Sequence, residues 1–188
     1  MPTRTFIALD LADEVAEDLV AAQQDLATVG AAVRWVERTN LHLTLKFLGD
    51  VEDAELAEVC RAAEEVAAAG EPFDFAVRGL SAVPPAGHLR MVWAGVTEPA
   101  GRLTALQAAL EDRAAAMGFK REDRAYRPHL TLGRVRSGRN VAELRRAVAD
   151  LAEADYGQTY ADRLVVYGSQ LTPEGPVYTA LATAKIGR

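Results

Sequence analysis

Apolar residues recur along the chain at two spacings, and each spacing predicts a different element. Phe73, Phe75 and Val77 alternate with other residues, which is the pattern of a strand with one buried face. Apolar residues three or four positions apart between residues 15 and 26 predict an amphipathic helix. The same patterns predict further strands over residues 3–9, 41–48, 89–96, 127–135, 163–167 and 177–185, and further helices around residues 53–69, 103–117 and 144–151. Strands and helices therefore alternate along the chain.

One tetrapeptide occurs twice, and each copy begins with one of the chain's three histidines. The copies are His42-Leu-Thr44-Leu and His129-Leu-Thr131-Leu, and each lies within a predicted strand. We interpret the repetition as two related halves that each bring one imidazole to a shared place. The third histidine, His88, lies in a Pro- and Gly-rich loop without such a threonine, so we expect it at the surface.

The spacing within each copy places its two polar side chains together. Alternate residues of a strand share a face, so the histidine and the threonine point one way and the two leucines point into the core. Two histidines in one cleft can act as an acid/base pair, because their ordinary pKa of about 6.5 allows either state near neutral pH. With two hydroxyls to stabilise charge on non-bridging oxygens, such a cleft suits a phosphodiester. A 2′,3′-cyclic phosphate fits best, because in-line attack then needs only a base and an acid on opposite sides.

Composition limits the classes of protein that fit. A chain of 188 residues, of which 49% are hydrophobic, suits one compact domain or two small fused lobes. No apolar run approaches the length of a membrane span, and the first residues lack the pattern of a signal peptide. Cys60 is the single cysteine and lies in a predicted helix, so we expect a buried, unreactive thiol and a cytoplasmic protein.

Charge is distributed unevenly. The formal net charge of −6 argues against a protein that coats nucleic acid without selectivity. Residues 1–70 hold 5 basic and 14 acidic residues, whereas residues 113–146 hold 10 basic and 3 acidic residues. The basic segment brackets the second histidine motif. It is either a solvated face or a local phosphate-binding surface.

Sequence patterns for other common chemistries are absent. The chain has no GxGxxG, GxxxxGK[ST], GxSxG, HExxH or CxxC pattern. A metal site built on two histidines needs a further ligand, and no carboxylate lies at helical or hairpin spacing from His42 or His129. We therefore predict no metal and no other cofactor.

The paired His-x-Thr-x motifs resemble those of the 2H phosphoesterase superfamily. Within it, FIAL near the N-terminus, NLHLTLKFLG at 40–49, RPHLTLGR at 127–134 and SQLTPEGPVYTAL at 169–181 resemble the RNA 2′,3′-cyclic phosphodiesterases, also called 2′-5′ RNA ligases or LigT-like proteins. The resemblance covers essentially the whole chain. It implies a single bilobal domain over residues 1–188, of the α+β class, with antiparallel sheets around a central cleft and helices outside.

The resemblance also implies an activity and a set of site residues. The activity is hydrolysis of RNA 2′,3′-cyclic phosphate ends to 2′-phosphates, with reversible 2′-5′ joining of RNA as a side activity and no required metal. His42 and His129 carry over as catalytic residues, and Thr44 and Thr131 as substrate-binding residues. Arg134 matches a phosphate-contacting arginine. Simple alternation from His129 would put Arg134 on the wrong face, so a bulge or a strand end is required.

The residues next to the motifs leave several interpretations open. Phe47 either stacks on a base or is a core aromatic. Lys46 shares strand parity with the first motif, and reaches either the cleft or the solvent. Tyr126 and Arg127 precede the second motif and are candidates for holding substrate.

Two alternatives to an RNA substrate stay open at this point. The motifs read a phosphate and not a base, so the substrate could be a small cyclic nucleotide, ADP-ribose cyclic phosphate or 2′-5′ oligoadenylate. A non-catalytic nucleotide-binding module is the second alternative, although binding alone does not need two proton-transfer groups. Within the phosphodiesterase interpretation we expect a monomer. We assign His42 as the acid, because negative charge in its half of the chain favours the protonated form. We assign His129 as the base, because the basic residues around it should lower its pKa.

Overall fold

The computed structural model describes residues 2–173 and 175–187. Four α-helices are present in this part of the chain, together with a short 3₁₀-helix at Arg38–Asn40: α1 Asp13–Ala27, α2 Asp53–Ala69, α3 Arg102–Ala116 and α4 Val141–Asp150. Nine strands accompany them: β1 Thr3–Leu9, β2 Val33–Trp35, β3 Leu43–Val51, β4 Phe73–Val83, β5 Met91–Thr97, β6 His129–Val135, β7 Asp155–Ala161, β8 Arg163–Leu171 and β9 Pro176–Lys185.

The strands form two antiparallel sheets. Sheet A has the order β3-β1-β8-β9, and sheet B has the order β2-β6-β5-β4-β7. The first histidine motif begins one residue before β3, an edge strand of sheet A, and the second begins at the first residue of β6 in sheet B. The predicted α+β class, with antiparallel sheets and outer helices, is confirmed.

The sheets do not follow the two halves of the sequence. Sheet A contains β1 and β3, from the first part of the chain, and β8 and β9, from the last part. Sheet B contains the four strands between them in sequence, together with β2. The helices are exchanged in the same way. Helix α1, which precedes the first motif, packs on β7 of sheet B, and α3, which precedes the second motif, packs on β3 of sheet A. The first motif strand therefore packs against the helix that precedes the second motif, and α1 lies on the sheet that contains the second motif strand.

Local sequence explains where helix α2 begins and which face it buries. Glu52 and Glu55 form a capping box, which satisfies free main-chain N–H groups at its first turn. The predicted range of 53–69 is confirmed. The buried residues of the helix are Val59, Ala62, Ala63 and Ala67. Cys60 is only half-buried, so the expectation of a buried thiol is wrong. Desolvation, followed by the charge of Glu64, raises the pKa of this thiol, which keeps it protonated.

Two strands were not predicted from the pattern. Strand β2 has three residues, too few to show a period, and β7 carries polar residues at both parities because it is the edge of sheet B. Strand β2 nevertheless matters for the site. It pairs with β6 and places Arg34 directly opposite Arg134.

Candidate active site

The two histidine motifs lie on neighbouring strands that belong to different sheets. Strands β3 and β6 approach each other directly. The four leucines of the motifs are buried, whereas the histidines and threonines are half-buried. The predicted alternation is therefore present in both copies. The two strands thus carry two imidazoles and two hydroxyls, and the buried leucines anchor both strands in the core.

Each imidazole is held by a main-chain carbonyl two residues earlier. His42 Nδ1 lies 2.8 Å from the Asn40 oxygen, and His129 Nδ1 lies 2.7 Å from the Arg127 oxygen. A carbonyl only accepts, so we assign the proton to Nδ1 in both rings, which leaves each neutral Nε2 with a lone pair. His42 Nε2 lies 2.9 Å from the hydroxyl oxygen of Thr44. Both histidines thus present the nitrogen needed for proton transfer.

Aromatic rings from other strands of the same sheet fix the orientation of both imidazoles. His42 stacks on Phe6 of β1 with ring centroids 4.8 Å apart, and Tyr178 of β9 meets it edge-on at 5.4 Å. His129 stacks on Trp93 of β5 at 3.7 Å. The ring that stacks on each histidine comes from the strand next to its own. Such packing restricts rotation of the imidazoles and removes water from one side of each.

Burial lowers the pKa of both histidines. At His42 the desolvation is opposed by the Asn40 carbonyl and by the negative charge of Asp10, but it outweighs them. At His129 the opposing contribution is the hydrogen bond to Arg127. The lowered pKa of His129 agrees in direction with our expectation, although its cause is burial and not the surrounding arginines. The pKa of His42 is lowered, contrary to our expectation, and both rings favour the neutral form.

Both motif strands contain a β-bulge at the same position of the repeat. Ala8 pairs with Thr44 and Ile7 with Lys46, which leaves Leu45 as an extra residue. In sheet B, Trp93 pairs with Thr131 and Val92 with Gly133, which leaves Leu132 as an extra residue. A bulge shifts the alternation of side chains by one residue. The third residue after each threonine therefore takes the face of the histidine.

The residues that the two bulges turn toward the cleft are Phe47 and Arg134. The bulge that Arg134 required is present, and its side chain is exposed. The Phe47 side chain is 62% exposed, with its ring centroid 5.9 Å from that of Phe6. The interpretation of Phe47 as a core aromatic is therefore wrong.

The same shift turns Lys46 away from the cleft. Only 4% of Lys46 is exposed, so our expectation that it reaches the cleft or the solvent is wrong. Its ammonium donates to the Glu111 carboxylate at 2.7 Å and to the Lys120 carbonyl at 2.8 Å. A buried cation requires such partners. Lys46 thus ties the first motif strand to α3.

Gln23 has a comparable place at the second motif, and sequence reasoning missed it. This α1 residue is 5% exposed, and its Nε2 donates to the carbonyls of Val36 and Leu132, each at 2.9 Å. Leu132 is the extra residue of the second bulge. The available signal was an amide side chain on the apolar face of a predicted helix, next to Ala22. Helix α1 thus holds the bulge of the opposite motif.

The segment before His129 joins the two motif strands and borders a cavity. The Tyr126 hydroxyl donates to the Thr44 carbonyl at 3.0 Å, so Tyr126 has a structural contact that we did not predict. Arg127 is exposed. A cavity of about 300 Å³ is lined by Ser81, Trp93, Ala94, Gly95, Tyr126, Arg127, Pro128 and His129. The cavity is next to His129, and its volume is at the lower end of the range for ordinary ligand pockets.

Other expectations concern parts of the chain away from the cleft. His88 is exposed, as expected. Within residues 2–173 and 175–187, no group of three or more His, Cys, Asp or Glu side chains is placed to hold a metal ion. None of the described helices has the length and apolar character that a membrane span requires.

Comparison with known proteins gives consistent matches over nearly the whole chain. The family model "LigT like Phosphoesterase" matches twice, over residues 9–93 and 95–178, so each match contains one histidine motif. A Methanothermobacter thermautotrophicus protein is 34% identical, over 99% of this chain and 100% of its own length. An Archaeoglobus fulgidus protein is 35% identical, over 95% of this chain and 97% of its own. Both are named RNA 2′,3′-cyclic phosphodiesterase.

Solved structures show the same architecture. The protein TT0787 of Thermus thermophilus has a TM-score of 0.82 at 26% identity and covers 98% of this chain and 99% of that chain. Apo LigT of E. coli has a TM-score of 0.79 at 25% identity, with coverage of 100% and 99%. The duplicated motif, the paired sheets and these matches agree, and the chain belongs to the LigT-like phosphoesterase family, within the 2H phosphoesterases.

Proposed function

We propose that this protein hydrolyses RNA 2′,3′-cyclic phosphate ends to 2′-phosphomonoesters by acid/base catalysis, without a metal. The observation that carries the proposal is the matched support of His42 and His129. Each has Nδ1 on a main-chain carbonyl, an aromatic ring against one face and a threonine two residues away. The names of the relatives support the choice of substrate.

The reaction follows from the roles of the two rings. His129 Nε2 takes a proton from water, and the water oxygen attacks the phosphorus. The bond from phosphorus to O3′ breaks on the opposite side, and protonated His42 gives its proton to O3′. The product keeps the phosphate on O2′. The hydroxyls of Thr44 and Thr131 donate to the non-bridging oxygens, where charge builds in the transition state, and Arg134 contacts the same phosphate.

The charges around each ring support this assignment of roles. Among the described residues, Asp10 is the side chain whose charge favours protonation of His42, which suits the general acid. No acidic side chain in the described ranges contributes in this way at His129, which suits the base. In this proposal Phe47 stacks on a base, and its exposure beside the first motif supports that role. The partners are then RNA ends, and we expect a cytoplasmic monomer.

A product analysis in EDTA tests the proposal. The protein is incubated with 2′,3′-cyclic AMP and with an RNA oligomer that ends in a cyclic phosphate, and the product isomer is identified. We expect a 2′-phosphate. A 3′-phosphate would contradict the role of O3′ as leaving group, and no turnover would favour a binding module. Turnover of the small substrate alone would favour a small cyclic nucleotide, ADP-ribose cyclic phosphate or 2′-5′ oligoadenylate as the natural class. The reverse 2′-5′ ligation is measured with the 2′,3′-cyclic phosphate end and a 5′-hydroxyl RNA.

A substrate with a better 3′ leaving group tests the roles of the histidines. Such a substrate needs no proton donor, so it should restore turnover to His42→Ala and not to His129→Ala. The exposed His88→Ala is the matched control, since it removes an imidazole outside the cleft. Restored turnover in His129→Ala alone would reverse the assignment.

A further inference from the structure

Three residues form a row across neighbouring strands on the cleft face of sheet A. Arg4 of β1 pairs with Ser169 of β8, which pairs with Tyr178 of β9. Phe6, two residues along β1 from Arg4, stacks on the His42 ring. Because alternate residues of a strand share a face, Arg4 lies on the side of the sheet that carries His42. The residue therefore belongs to the cleft, although it lies outside both motifs.

A second arginine approaches the same row from sheet B. Positive charge from Arg134 and from Arg4 acts on the Tyr178 hydroxyl and partly offsets the rise in its pKa that burial causes. The Tyr178 ring meets the His42 ring edge-on at 5.4 Å. The charges of two arginines, one from each sheet, thus both act on the hydroxyl of a ring that touches His42.

The described side chains leave the Arg4 guanidinium available. Arg4 is exposed and has no carboxylate within 4.0 Å among residues 2–173 and 175–187, although Asp50 is its neighbour on β3. Arg134 is exposed too, and its described polar contact is the Met91 sulfur at 3.6 Å. Because Arg134 is already assigned to the reacting phosphate, Arg4 is a further positive charge, and a second anionic group of the substrate would neutralise it. Arginine is well suited to phosphate, because its planar group donates two parallel hydrogen bonds.

We propose that Arg4 and the Tyr178 hydroxyl bind the phosphate on the 5′ oxygen of the terminal nucleoside. The inference rests on the proposed function and extends it, because it adds a second phosphate position beyond the one that reacts. An RNA end carries this phosphate as an internucleotide phosphodiester, and 2′,3′-cyclic AMP lacks it. Arg4 would therefore select RNA ends over cyclic mononucleotides.

The test compares three substrates in wild type and Arg4→Ala. They are 2′,3′-cyclic AMP, its 5′-phosphorylated form and the dinucleotide ApA with a cyclic phosphate end. We expect Arg4→Ala to lower the ratio of kcat/KM for the dinucleotide to that for cyclic AMP about 10-fold, because a charge-assisted hydrogen bond is lost. The ratio of kcat/KM for the 5′-phosphorylated form to that for cyclic AMP should fall by the same factor. For the dinucleotide, the slope of log kcat/KM against log salt should fall in magnitude by about 0.7.

Control variants separate this position from the fold and from the reaction. Arg163→Ala also removes an exposed arginine from sheet A, at a residue paired with Asp162, and should leave the ratio unchanged. Arg4→Lys keeps the charge, so it should keep part of the wild-type preference for the dinucleotide over cyclic AMP. This variant also tests the inference if Arg4→Ala does not fold.

Three outcomes would overturn the inference. The first is an equal loss on all three substrates, and the second is no loss at all. The third is a loss confined to the dinucleotide, which would place Arg4 at the preceding nucleoside. A wild type that turns over none of the three would instead contradict the proposed function itself.

Discussion

Replacement of Gln23 by leucine should reduce activity from a distance, through the bulge in β6. The amide of Gln23 donates to the carbonyls of Val36 and Leu132, each at 2.9 Å. After replacement, the Leu132 oxygen keeps the N–H of Val36 at 2.8 Å, while the part-buried Val36 oxygen loses this donor. The loss of such a hydrogen bond lowers the free energy of unfolding by about 1 kcal/mol.

The effect on activity should be larger than this loss of stability suggests. The bulge at Leu132 places Arg134 on the same face of β6 as His129, so a relaxed bulge would remove the contact with the phosphate that we propose for Arg134. A charge-assisted hydrogen bond of about 1.5–3 kcal/mol corresponds to a decrease of about 10- to 150-fold in kcat/KM. The assay measures kcat/KM on 2′,3′-cyclic AMP, with urea unfolding of the same samples to confirm that the protein is folded.

A double-mutant cycle decides whether Gln23 acts through Arg134. If it does, Gln23→Leu in the Arg134→Ala background should cost little further activity, whereas its effect on stability should be unchanged. The matched control is Gln24→Leu, the same replacement at the next residue of α1, which is exposed. Activity losses that add in the double variant would refute the reasoning, and so would a Gln24→Leu variant as impaired as Gln23→Leu.

Four further predictions follow from the site. His42→Ala and His129→Ala should each lower kcat about 10²–10⁴-fold in steady-state assays, and near-normal turnover in either would exclude the two-histidine scheme. Because burial lowers both histidine pKa values from 6.5, the profile of kcat/KM against pH should be bell-shaped and centred on the acid side of that value; a centre above neutrality would contradict it. Turnover should survive chelation by EDTA, and loss of activity that zinc or manganese restores would contradict the metal-free mechanism. Lys46→Met should lower the free energy of unfolding by about 3–5 kcal/mol in urea titrations, because the buried Glu111 carboxylate loses its cation, and Glu111→Gln in the same chain should recover part of it.

The parts of the site that follow from residue period could be predicted from the sequence. The repeated tetrapeptide predicted two strands anchored by leucines, and the buried leucines confirm this. The need for a bulge before Arg134 was also visible, because the residue otherwise has the wrong parity. The bulge in the first motif was not anticipated, and the position of Lys46 was therefore wrong. Leu45 has no sequence feature that marks it as an extra residue, since its bulge depends on the register with β1.

Contacts between distant segments were not predictable from local pattern. Phe6, Trp93 and Tyr178 support the histidines, yet each comes from a different strand whose neighbours depend on the topology of the sheets. In the sequence, Gln23 is only a polar residue on an apolar helix face, and its role depends on the position of α1 over sheet B. Alternation and helical period specify which face is buried, but they do not specify which partner buries it.

The order of strands in sheet A has a consequence for how the chain acquires its structure during synthesis. Strand β1 pairs with β8, so Arg4 cannot form its native pair until Ser169 has been synthesised. At about 5–20 residues per second, roughly ten to thirty seconds separate the synthesis of these two strands. Until then, one edge of β1 lacks its native neighbour, and Tyr178 is not yet beside His42. Contacts so distant in sequence also slow refolding of the complete chain, since loop closure precedes their stabilisation. Catalytic competence is thus a late event in biosynthesis.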